Sequence, residues 1–298
     1  MATRPTVRRL YAYKYFGEKH HRMGTTSRMA KSDLVRPHDQ LRTPMRGAGK
    51  EIRDDCLKFR CQFTMTNYFR LPSVSFFCPA YHDEKNLPVL IPRVQRFLSE
   101  MTDTFEVIIV HDGSPDKTGE VADRLAEDFP HVRVIHHRKN LGYGATLRDG
   151  FLAARYDYIM YTDGDNQYDV REFSPYLHLL QTADVLSGYV TRKAVSPRRK
   201  FQSLVYNWLI TVLFFVRCRD IDCAMKIYSR KAIDSISLKS TSCFIDAEMI
   251  IKSKRAGLKV AQFPVTHFPR MEGLASGSRM TVIAGTVRDM LKFRLGLL

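Results

Sequence analysis

From residue 72 onward, short apolar runs alternate with amphipathic segments along the chain. The apolar runs at residues 73–81, 105–114, 132–137 and 156–162 predict four strands, and the segments at residues 86–101, 117–129 and 143–156 predict three helices between them. Strands that alternate with helices of ten or more residues are typical of a parallel sheet with helices on both faces. The sequence therefore predicts the α/β fold class, and Gly150 is interpreted as letting the third helix lie close to the sheet.

Polar residues follow three of these strands at the point where each strand ends. They are the segments PAYHDE at 79–84, HDGS at 111–114 and DGDNQ at 163–167. Parallel α/β sheets bind their ligands beyond the carboxyl ends of the strands. These three segments therefore form the candidate site.

Two carboxylates, Asp163 and Asp165, stand one residue apart at the end of the fourth strand, and Gln167 follows them. Neighbouring carboxylates repel each other unless a cation lies between them. Carboxylate and amide oxygens suit a hard divalent ion such as Mg²⁺ or Mn²⁺, which keeps positions open for phosphate oxygens. The alternative is a loop in which the Asp and Asn side chains only cap the following segment.

The basic charge of the chain is concentrated near its N-terminus. Residues 1–70 contain sixteen Lys and Arg against six Asp and Glu, while the whole chain has a net charge of +16. This segment lacks the periodicity of a helix or a strand, so it is predicted to be a disordered extension of a folded domain at 71–298. A solvated tail is the favoured interpretation. Contact with nucleic acid or an anionic membrane, and a true start of the chain at Met65, are the alternatives.

The composition is that of a globular protein, because 44% of the 298 residues are hydrophobic, which allows a substantial core. The six cysteines include no C-x-x-C pair and no His/Cys quartet of the kind that binds zinc. Reduced thiols in the cytoplasm are therefore predicted.

Eight segments occur in an order and spacing that resemble the GT-A-fold, family 2 inverting glycosyltransferases. They are FFCPAYHDEKNL, VIIVHDGSPDKT, NLGYGATLRDG, YTDGDNQYD, DVLSGYVTRK, RDIDCAMKIY, FIDAEM and PVTHFPRMEG. Over about residues 72–295 the chain is similar to the dolichyl- and polyprenyl-phosphate mannosyl- and glucosyltransferases of that family. The resemblance implies a Rossmann-like GT-A domain at 71–298, with a nucleotide-binding half at 71–170 and an acceptor half at 171–298.

The resemblance also implies a donor pocket and a metal site at the strand ends. The donor-nucleotide residues that it implies are Pro79, Tyr81, Asp83, Asp112 and Asp163, and the metal ligands are Asp163, Asp165 and Gln167. Two positions depart from the family pattern, since His82-Asp83 replaces an Asn-Glu pair and His111 replaces an Asp. Both lie where base and ribose would bind, so UDP and GDP both stay open as the donor nucleotide.

The acceptor half begins with a basic segment, TRKAVSPRRK at 191–200. The resemblance implies a loop here that binds a lipid phosphate, and the arginine fork suits phosphate oxygens. The acceptor-phosphate residues that it implies are Arg192, Arg198, Arg199 and Arg270, with Arg279 as a further candidate. The alternative is an exposed, solvated loop.

The segment FQSLVYNWLITVLFFV at 201–216 is nearly all apolar. It is shorter than the roughly 20 residues that cross a bilayer. With basic residues on both sides it is interpreted as a helix in the membrane interface, and the alternative is a helix packed in the core. We therefore expect a peripheral protein on the membrane surface.

Asp246 and Glu248 of the FIDAEM segment lie toward the acceptor by the same resemblance, although acids that merely face solvent are the alternative. A phosphate monoester, with a second pKa of about 6, is already anionic near neutrality and demands little of a general base. A sugar or protein hydroxyl would need Asp246 or Glu248 as that base. Together with Asp165, these acids are the candidate catalytic residues.

The sequence thus predicts a metal-dependent inverting transferase that moves a hexose from a GDP- or UDP-sugar to a polyprenyl phosphate at the cytosolic face of a membrane. One alternative is a family 2 transferase acting on a hydroxyl, and another is an inactive adaptor that binds membranes or nucleic acid. The intact metal triplet and the location of the basic charge disfavour the adaptor, and no nucleic-acid partner is expected.

Overall fold

A mixed sheet lies at the centre of the part of the chain that the structure describes. The computed structural model describes residues 69–193, 197–270 and 280–298, with the backbone alone for residues 192–193 and 197–200. All of these residues belong to one compact unit, Met65–Leu298. The predictions for residues 1–68, for Arg279 and for the side chains of Arg192, Arg198 and Arg199 lie outside the described residues.

The first seven elements follow one another along the chain as the sequence pattern indicates. The strands are β1 (Val74–Ala80), β2 (Phe105–His111), β3 (Val132–His136), β4 (Tyr158–Tyr161), β5 (Val185–Lys193), β6 (Lys226–Ser229) and β7 (Val260–His267). The α-helices are α1 (Leu87–Met101), α2 (Thr118–Asp128), α3 (Tyr143–Ala153), α4 (Pro197–Phe214), α5 (Arg230–Asp234), α6 (Ile245–Arg255) and α7 (Met280–Arg294), and a 3₁₀ helix spans Val170–Gln181. The four predicted strands and three predicted helices are confirmed as β1 to β4 and α1 to α3.

The first four strands form a parallel half of the sheet. Among the described residues the strand order is β3-β2-β1-β4-β6-β5-β7. β1 pairs in parallel with β2 and β4, and β2 pairs in parallel with β3. β6 is antiparallel to its two neighbours, while β5 and β7 are parallel. The predicted α/β sheet is confirmed, and the carboxyl ends of β2, β1 and β4 lie side by side.

Burial explains why β1 and β2 are mostly apolar, and the buried Ser75 and Glu106 of these strands hydrogen-bond to each other at 2.7 Å. Every residue of β2 and every residue of β1 except Pro79 is buried. A parallel strand covered on both faces carries apolar side chains at successive positions instead of alternating ones. α1, in contrast, buries one stripe that includes Leu90, Val94 and Leu98, as expected for a helix with one face on the core.

α3 approaches β1 closely at Gly150. A Cβ atom added at Gly150 would lie 2.3 Å from Cδ2 of Phe77, whose side chain is fully buried. The Phe77 ring is confined by Phe151 and Tyr161, whose ring centroids are 4.8 and 5.3 Å away. The ring therefore cannot move aside easily, and the absence of a side chain at Gly150 lets the helix lie against the sheet.

We expect Gly150→Ala to lower the free energy of unfolding by about 1–3 kcal/mol, the usual cost of overpacking a core. Gly285→Ala is the matched control, because Gly285 also lies inside a helix and the nearest described atom to an added Cβ is Ser242 Cβ at 3.8 Å. Alanine in place of an unconstrained helical glycine should raise stability by about 0.5–1 kcal/mol. Urea denaturation measures both changes. A Gly150→Ala protein as stable as the control would contradict the close approach.

Candidate active site

The polar segments after β1, β2 and β4 meet at one edge of the sheet. The Asp112 amide donates to the Ala80 carbonyl at 3.0 Å, which connects the segment after β2 to the end of β1. A Cβ atom added at Gly164 would lie 2.6 Å from the Pro79 carbonyl oxygen and 3.0 Å from Oδ2 of Asp83. The segment after β4 therefore lies directly against the segment after β1.

The predicted metal ligands share this edge with an arginine. Asp163 is half-buried, and the Tyr143 hydroxyl donates to its Oδ1 at 3.1 Å. Asp165 is buried, its Oδ1 accepts the backbone N–H of Gln167 at 3.1 Å, and its Oδ2 accepts a hydrogen bond from Arg270 Nη2 at 2.5 Å. The same Nη2 lies 3.4 Å from Oε1 of Gln167. Arg270, predicted on the acceptor side, is thus in contact with two of the predicted ligands.

Burial and mutual repulsion disfavour ionised carboxylates at this edge. Burial, then the charge of Asp165 and then the charge of Asp246, raise the pKa of Asp163 well above its usual range. Burial is also the main reason why the pKa of Asp83 is raised, although its Oδ2 accepts the backbone N–H of Tyr81 at 3.0 Å. Carboxylates in these surroundings are stabilised by a nearby cation.

The residues present fit a hard divalent cation. They offer two carboxylates and one amide oxygen, which are the donors that Mg²⁺ and Mn²⁺ prefer. Within residues 69–193, 197–270 and 280–298, no group of three or more His, Cys, Asp or Glu side chains could hold a metal, and the predicted set contains only two carboxylates. Arg270 supplies positive charge beside Asp165. The metal site stays a prediction, with donors of the right kind.

Asp112 organises the loop that precedes α3. Its Oδ1 accepts the backbone N–H of Leu141 at 2.8 Å, and its Oδ2 accepts that of Gly142 at 3.0 Å. His137 Nδ1 lies 2.7 Å from Oδ1 as well. Both oxygens therefore have partners within the protein, and the nucleotide contact of Asp112 stays a prediction.

Tyr81 and Pro79 are more accessible than Asp112. Both are half-buried at the end of β1. The Tyr81 ring packs edge-on against His82, with ring centroids 4.4 Å apart. Of the residues predicted to bind the nucleotide, Tyr81 therefore offers an accessible aromatic surface.

Asp246 is buried against a lysine and a tyrosine. Lys226 at the start of β6 is fully buried, and its Nζ donates to Asp246 Oδ1 at 2.5 Å and to the Tyr161 hydroxyl at 3.0 Å. The Tyr161 hydroxyl donates to the same Asp246 oxygen. Burial favours the neutral amine, but the charge of Asp246 and its hydrogen bond outweigh this effect and raise the pKa of Lys226. Asp246 is thus part of a buried ion pair, and the interpretation that it faces solvent is wrong.

Glu248 holds the loop that precedes α6. Its side chain is fully buried, its Oε2 accepts the backbone N–H of Ser240 at 2.8 Å, and its Oε1 accepts that of Lys239 at 3.0 Å. Lys252 Nζ donates to Oε1 at 2.5 Å. These contacts favour a structural role for Glu248, and the interpretation that it faces solvent is wrong as well.

Sequence reasoning did not identify Lys226 or Tyr143 as part of the site. Lys226 stands in the segment CAMKIY, between apolar residues of a predicted family motif. A lysine in that setting is a signal for a buried, paired charge, since unpaired lysine is rarely fully buried. Tyr143 gave no comparable signal, because its contact with Asp163 depends on how α3 meets β4.

One face of α4 carries large apolar side chains that are exposed. The most exposed of the apolar residues in and just after α4 are Phe201 (67%), Leu204 (69%), Trp208 (62%) and Phe215 (87%). Ile210 and Phe214, in contrast, are buried. The interpretation as a core helix is therefore right for one face and wrong for the other. Among the helices of the described residues, none combines the length and the hydropathy needed to cross a membrane.

Comparison with known proteins gives consistent relatives. A family model, Glycosyl transferase family 2, matches residues 75–237. Glycosyltransferase AglD of Haloferax volcanii is 34% identical over 66% of this chain and 33% of its own length. Dolichyl-phosphate beta-glucosyltransferase ALG5A of Trichomonas vaginalis is 28% identical over 64% of both chains, and polyprenol monophosphomannose synthase of Mycolicibacterium smegmatis is 29% identical over 68% of this chain and 80% of its own. The chain thus spans between a third and two thirds of the length of the first two relatives.

The fold has solved counterparts. Glucosyl-3-phosphoglycerate synthase from Mycobacterium tuberculosis, crystallised in complex with Mn²⁺, UDP and glucosyl-3-phosphoglycerate, superposes with a TM-score of 0.58 at 19% identity. The match covers 76% of this chain and 81% of that one. It supports a GT-A-like sheet of mostly parallel strands flanked by helices. With the family model matching more than half of its residues, the chain belongs to glycosyl transferase family 2.

Proposed function

We propose that the protein is a metal-dependent inverting transferase that moves a hexose from a GDP- or UDP-sugar to a polyprenyl phosphate. The names of its relatives, which include a dolichyl-phosphate glucosyltransferase and a polyprenol monophosphomannose synthase, support this acceptor class. The observation that carries the proposal is that both candidate bases are engaged within the protein. Asp246 is paired with Lys226, and Glu248 holds backbone N–H groups.

The engagement of these acids bears on the acceptor because a hydroxyl nucleophile must lose a proton. Asp246 Oδ1 already accepts hydrogen bonds from Lys226 and Tyr161, so this oxygen is engaged within the protein and is not free to take the proton of a substrate hydroxyl. A phosphate monoester needs no such step, since its second pKa of about 6 leaves it largely dianionic near neutrality. The acceptor oxygen then bonds to the anomeric carbon while the bond from that carbon to the nucleoside diphosphate breaks, and the configuration of the sugar inverts.

In this proposal the donor lies over the carboxyl ends of β1, β2 and β4. Pro79, Tyr81, Asp83 and Asp112 are the nucleotide-binding residues in the proposal. Tyr81 can offer its ring to the base. Asp83, which accepts from the Tyr81 amide at 3.0 Å and from Asn86 Nδ2 at 2.8 Å, is the proposed partner of ribose or base. Asp112 acts by shaping the loop before α3.

Asp163, Asp165 and Gln167 would hold Mg²⁺ or Mn²⁺ beside the donor diphosphate. When bound, such a cation offsets the charge that develops on the departing diphosphate. Arg270 lies against Asp165 and Gln167, and in this proposal its guanidinium binds phosphate oxygens at the same edge. Arg192, Arg198 and Arg199 complete the proposed acceptor site.

The exposed face of α4 suits a membrane surface, where a polyprenyl phosphate resides. The side chain of Trp208 is amphipathic and that of Phe215 is apolar, and both kinds insert well at the lipid interface. Phe215 also has a φ of +57°, which a bulky residue adopts rarely and at a cost. Arg217 and Arg219 lie shortly after Phe215 in the chain and are exposed. We therefore propose a peripheral location, on the cytosolic face of a membrane.

The metal proposal predicts that Asp165→Asn lowers hexose transfer by about a hundredfold or more, because the diphosphate loses charge stabilisation worth several kcal/mol. The assay measures radiolabel from UDP-glucose or GDP-mannose that enters organic-extractable lipid. EDTA should stop transfer by the wild type, and added Mn²⁺ should restore it. Asp103→Asn is the control, since Asp103 is 90% exposed. Full activity in EDTA would contradict the metal site.

The membrane proposal predicts that Phe215→Gly weakens binding to vesicles rich in anionic phospholipid by about tenfold, the loss expected for one buried aromatic ring. The same change should stabilise the fold, because glycine adopts a positive φ without strain. Weaker vesicle binding by a Phe215→Gly protein that is more stable than the wild type is therefore not a result of misfolding.

Leu152→Ser is the matched control, because Leu152 is 76% exposed on α3, outside the proposed membrane surface. Flotation with vesicles measures binding, and thermal denaturation measures stability. If Phe215→Gly floats as well as the wild type, or if Leu152→Ser loses as much binding, this face does not contact the membrane.

A further inference from the structure

Two histidines connect Asp123 to the turn after β2. Asp123 Oδ1 lies 2.9 Å from Nε2 of His136, and Nδ1 of His136 lies 3.0 Å from Nδ1 of His111. His111 Nε2 accepts the backbone N–H of Ser114 at 2.9 Å. His111 is buried, and its ring packs against Gly119. A Cβ atom added at Gly119 would lie 3.0 Å from Cε1 of His111, so the absence of a side chain there leaves room for the ring. Asp123, His136, His111 and Ser114 are called the histidine relay below.

The contacts of the relay determine where each proton lies. The Ser114 amide can only donate, so Nε2 of His111 carries a lone pair and a neutral His111 carries its proton on Nδ1. That proton is donated to Nδ1 of His136, which leaves the His136 proton on Nε2. The carboxylate of Asp123 can only accept, so it receives this last proton. All three hydrogen bonds can form together only when both histidines are neutral.

Ser114 passes the effect of the relay to the neighbouring loop. Its Oγ accepts the backbone N–H of His82 at 3.0 Å and donates to Asp116 Oδ1 at 2.6 Å. His82 has a φ of +60°, a conformation that needs support from its surroundings. His82 stands between Tyr81 and Asp83, two of the residues proposed to bind the nucleotide. The relay thus supports the loops after β1 and β2 together.

We propose that His111 is a positioning residue for the donor nucleotide, which acts through Ser114 when His111 and His136 are both neutral. This inference rests on the proposed function, because it takes the loops after β1 and β2 as the nucleotide site. It gives a role to the histidine that replaces the family's aspartate at this position. His111 does not touch the nucleotide in this account.

Protonation breaks the relay at acid pH. A proton added to Nε2 of His111 would face the Ser114 N–H, and a proton added to Nδ1 of His136 would face the proton on His111. Burial, followed by the charge of His136, lowers the pKa of His111. A base with a lowered pKa contributes fully above its ordinary value and loses its contribution as pH falls through the lowered one. Donor binding should therefore weaken below about pH 6.

The other two histidines near the turn, His137 and His82, face carboxylates instead of a backbone N–H group. His137 lies between Asp112 and Asp149, with its two ring nitrogens 2.7 and 3.1 Å from their oxygens. Carboxylates can only accept, so neither contact requires a lone pair on the His137 ring. His82 Nδ1 lies 3.7 Å from Oδ2 of Asp116, and this carboxylate is likewise only an acceptor. Acid weakening of the turn is thus assigned to the relay.

The tautomers can be observed without any ligand. In ¹⁵N-histidine-labelled protein at about pH 8, two-bond ¹H–¹⁵N spectra should show the Nδ1–H form of His111 and the Nε2–H form of His136. The variants His111→Gln and His136→Gln assign the signals. A protonated His136, or the Nε2–H form of His111, at that pH would overturn the relay.

The positioning role is tested by nucleotide affinity. UDP and GDP, each with Mn²⁺, are titrated into the wild type, His111→Gln and His111→Ala at about pH 8 and about pH 5.5. His111→Ala should weaken binding about three- to tenfold at the higher pH, the effect of one lost hydrogen bond. His111→Gln keeps an acceptor for Ser114 and does not titrate, so it should bind like the wild type at pH 8 and lose less affinity than the wild type at pH 5.5.

The control is His178→Asn, since His178 is exposed and lies in the 3₁₀ helix. Its affinity for the nucleotides should equal that of the wild type at both pH values. Equal acid weakening of the wild type and His111→Gln, or unchanged affinity in His111→Ala, would overturn the positioning role. Failure of both nucleotides to bind the wild type at pH 8 would contradict the proposed function and this role with it, while the tautomers would still decide whether the relay exists.

Discussion

Negative charge gathered at the end of β4 has to be balanced by positive charge, and the arrangement of the acceptor half follows from this requirement. The charges of Asp165 and Asp246 both act on Asp163. Lys226 balances Asp246 inside the core, and Arg270 balances Asp165 at the edge of the sheet. An unpaired buried carboxylate would cost several kcal/mol. β6, α6 and the segment after β7, which supply these residues, are therefore coupled to the strand end that carries the proposed metal ligands.

The same balance shapes the proposed chemistry. Because Asp246 is used to hold Lys226 in the core, it is poorly suited to accept a proton from a substrate, and an acceptor that already carries its own charge fits this site. The nucleotide half meets a similar requirement with histidines. His111 accepts from the Ser114 backbone, and His137 lies between two carboxylates. Around one edge of the sheet, the acceptor half thus pairs its carboxylates with Lys226 and Arg270, and the nucleotide half pairs its polar groups with histidines.

Much of the first half could be predicted from the sequence, because strands buried on both faces appear in it as mostly apolar runs. The joining of the three polar strand ends was equally predictable, since neighbouring parallel strands end at one edge. The acceptor half was harder, because β6 begins with the charged Lys226 and β7 contains Pro264, and neither resembles a core strand. The roles of Glu248 and Arg270 depend on which backbone and carboxylate groups approach them. Such contacts arise from tertiary packing and leave no periodic pattern.

The central claim is that the acceptor brings its own negative charge, and a comparison of two acceptors tests it most directly. Initial rates are measured for the wild type with polyprenyl phosphate and with the corresponding polyprenol, using labelled UDP-glucose and GDP-mannose and a divalent cation. We expect transfer to the phosphate, giving a lipid product that mild acid releases. Transfer to the alcohol should be slower by at least about a hundredfold, in keeping with the usual contribution of a general base. Comparable rates with polyprenol, or a product stable to mild acid, would contradict the central claim.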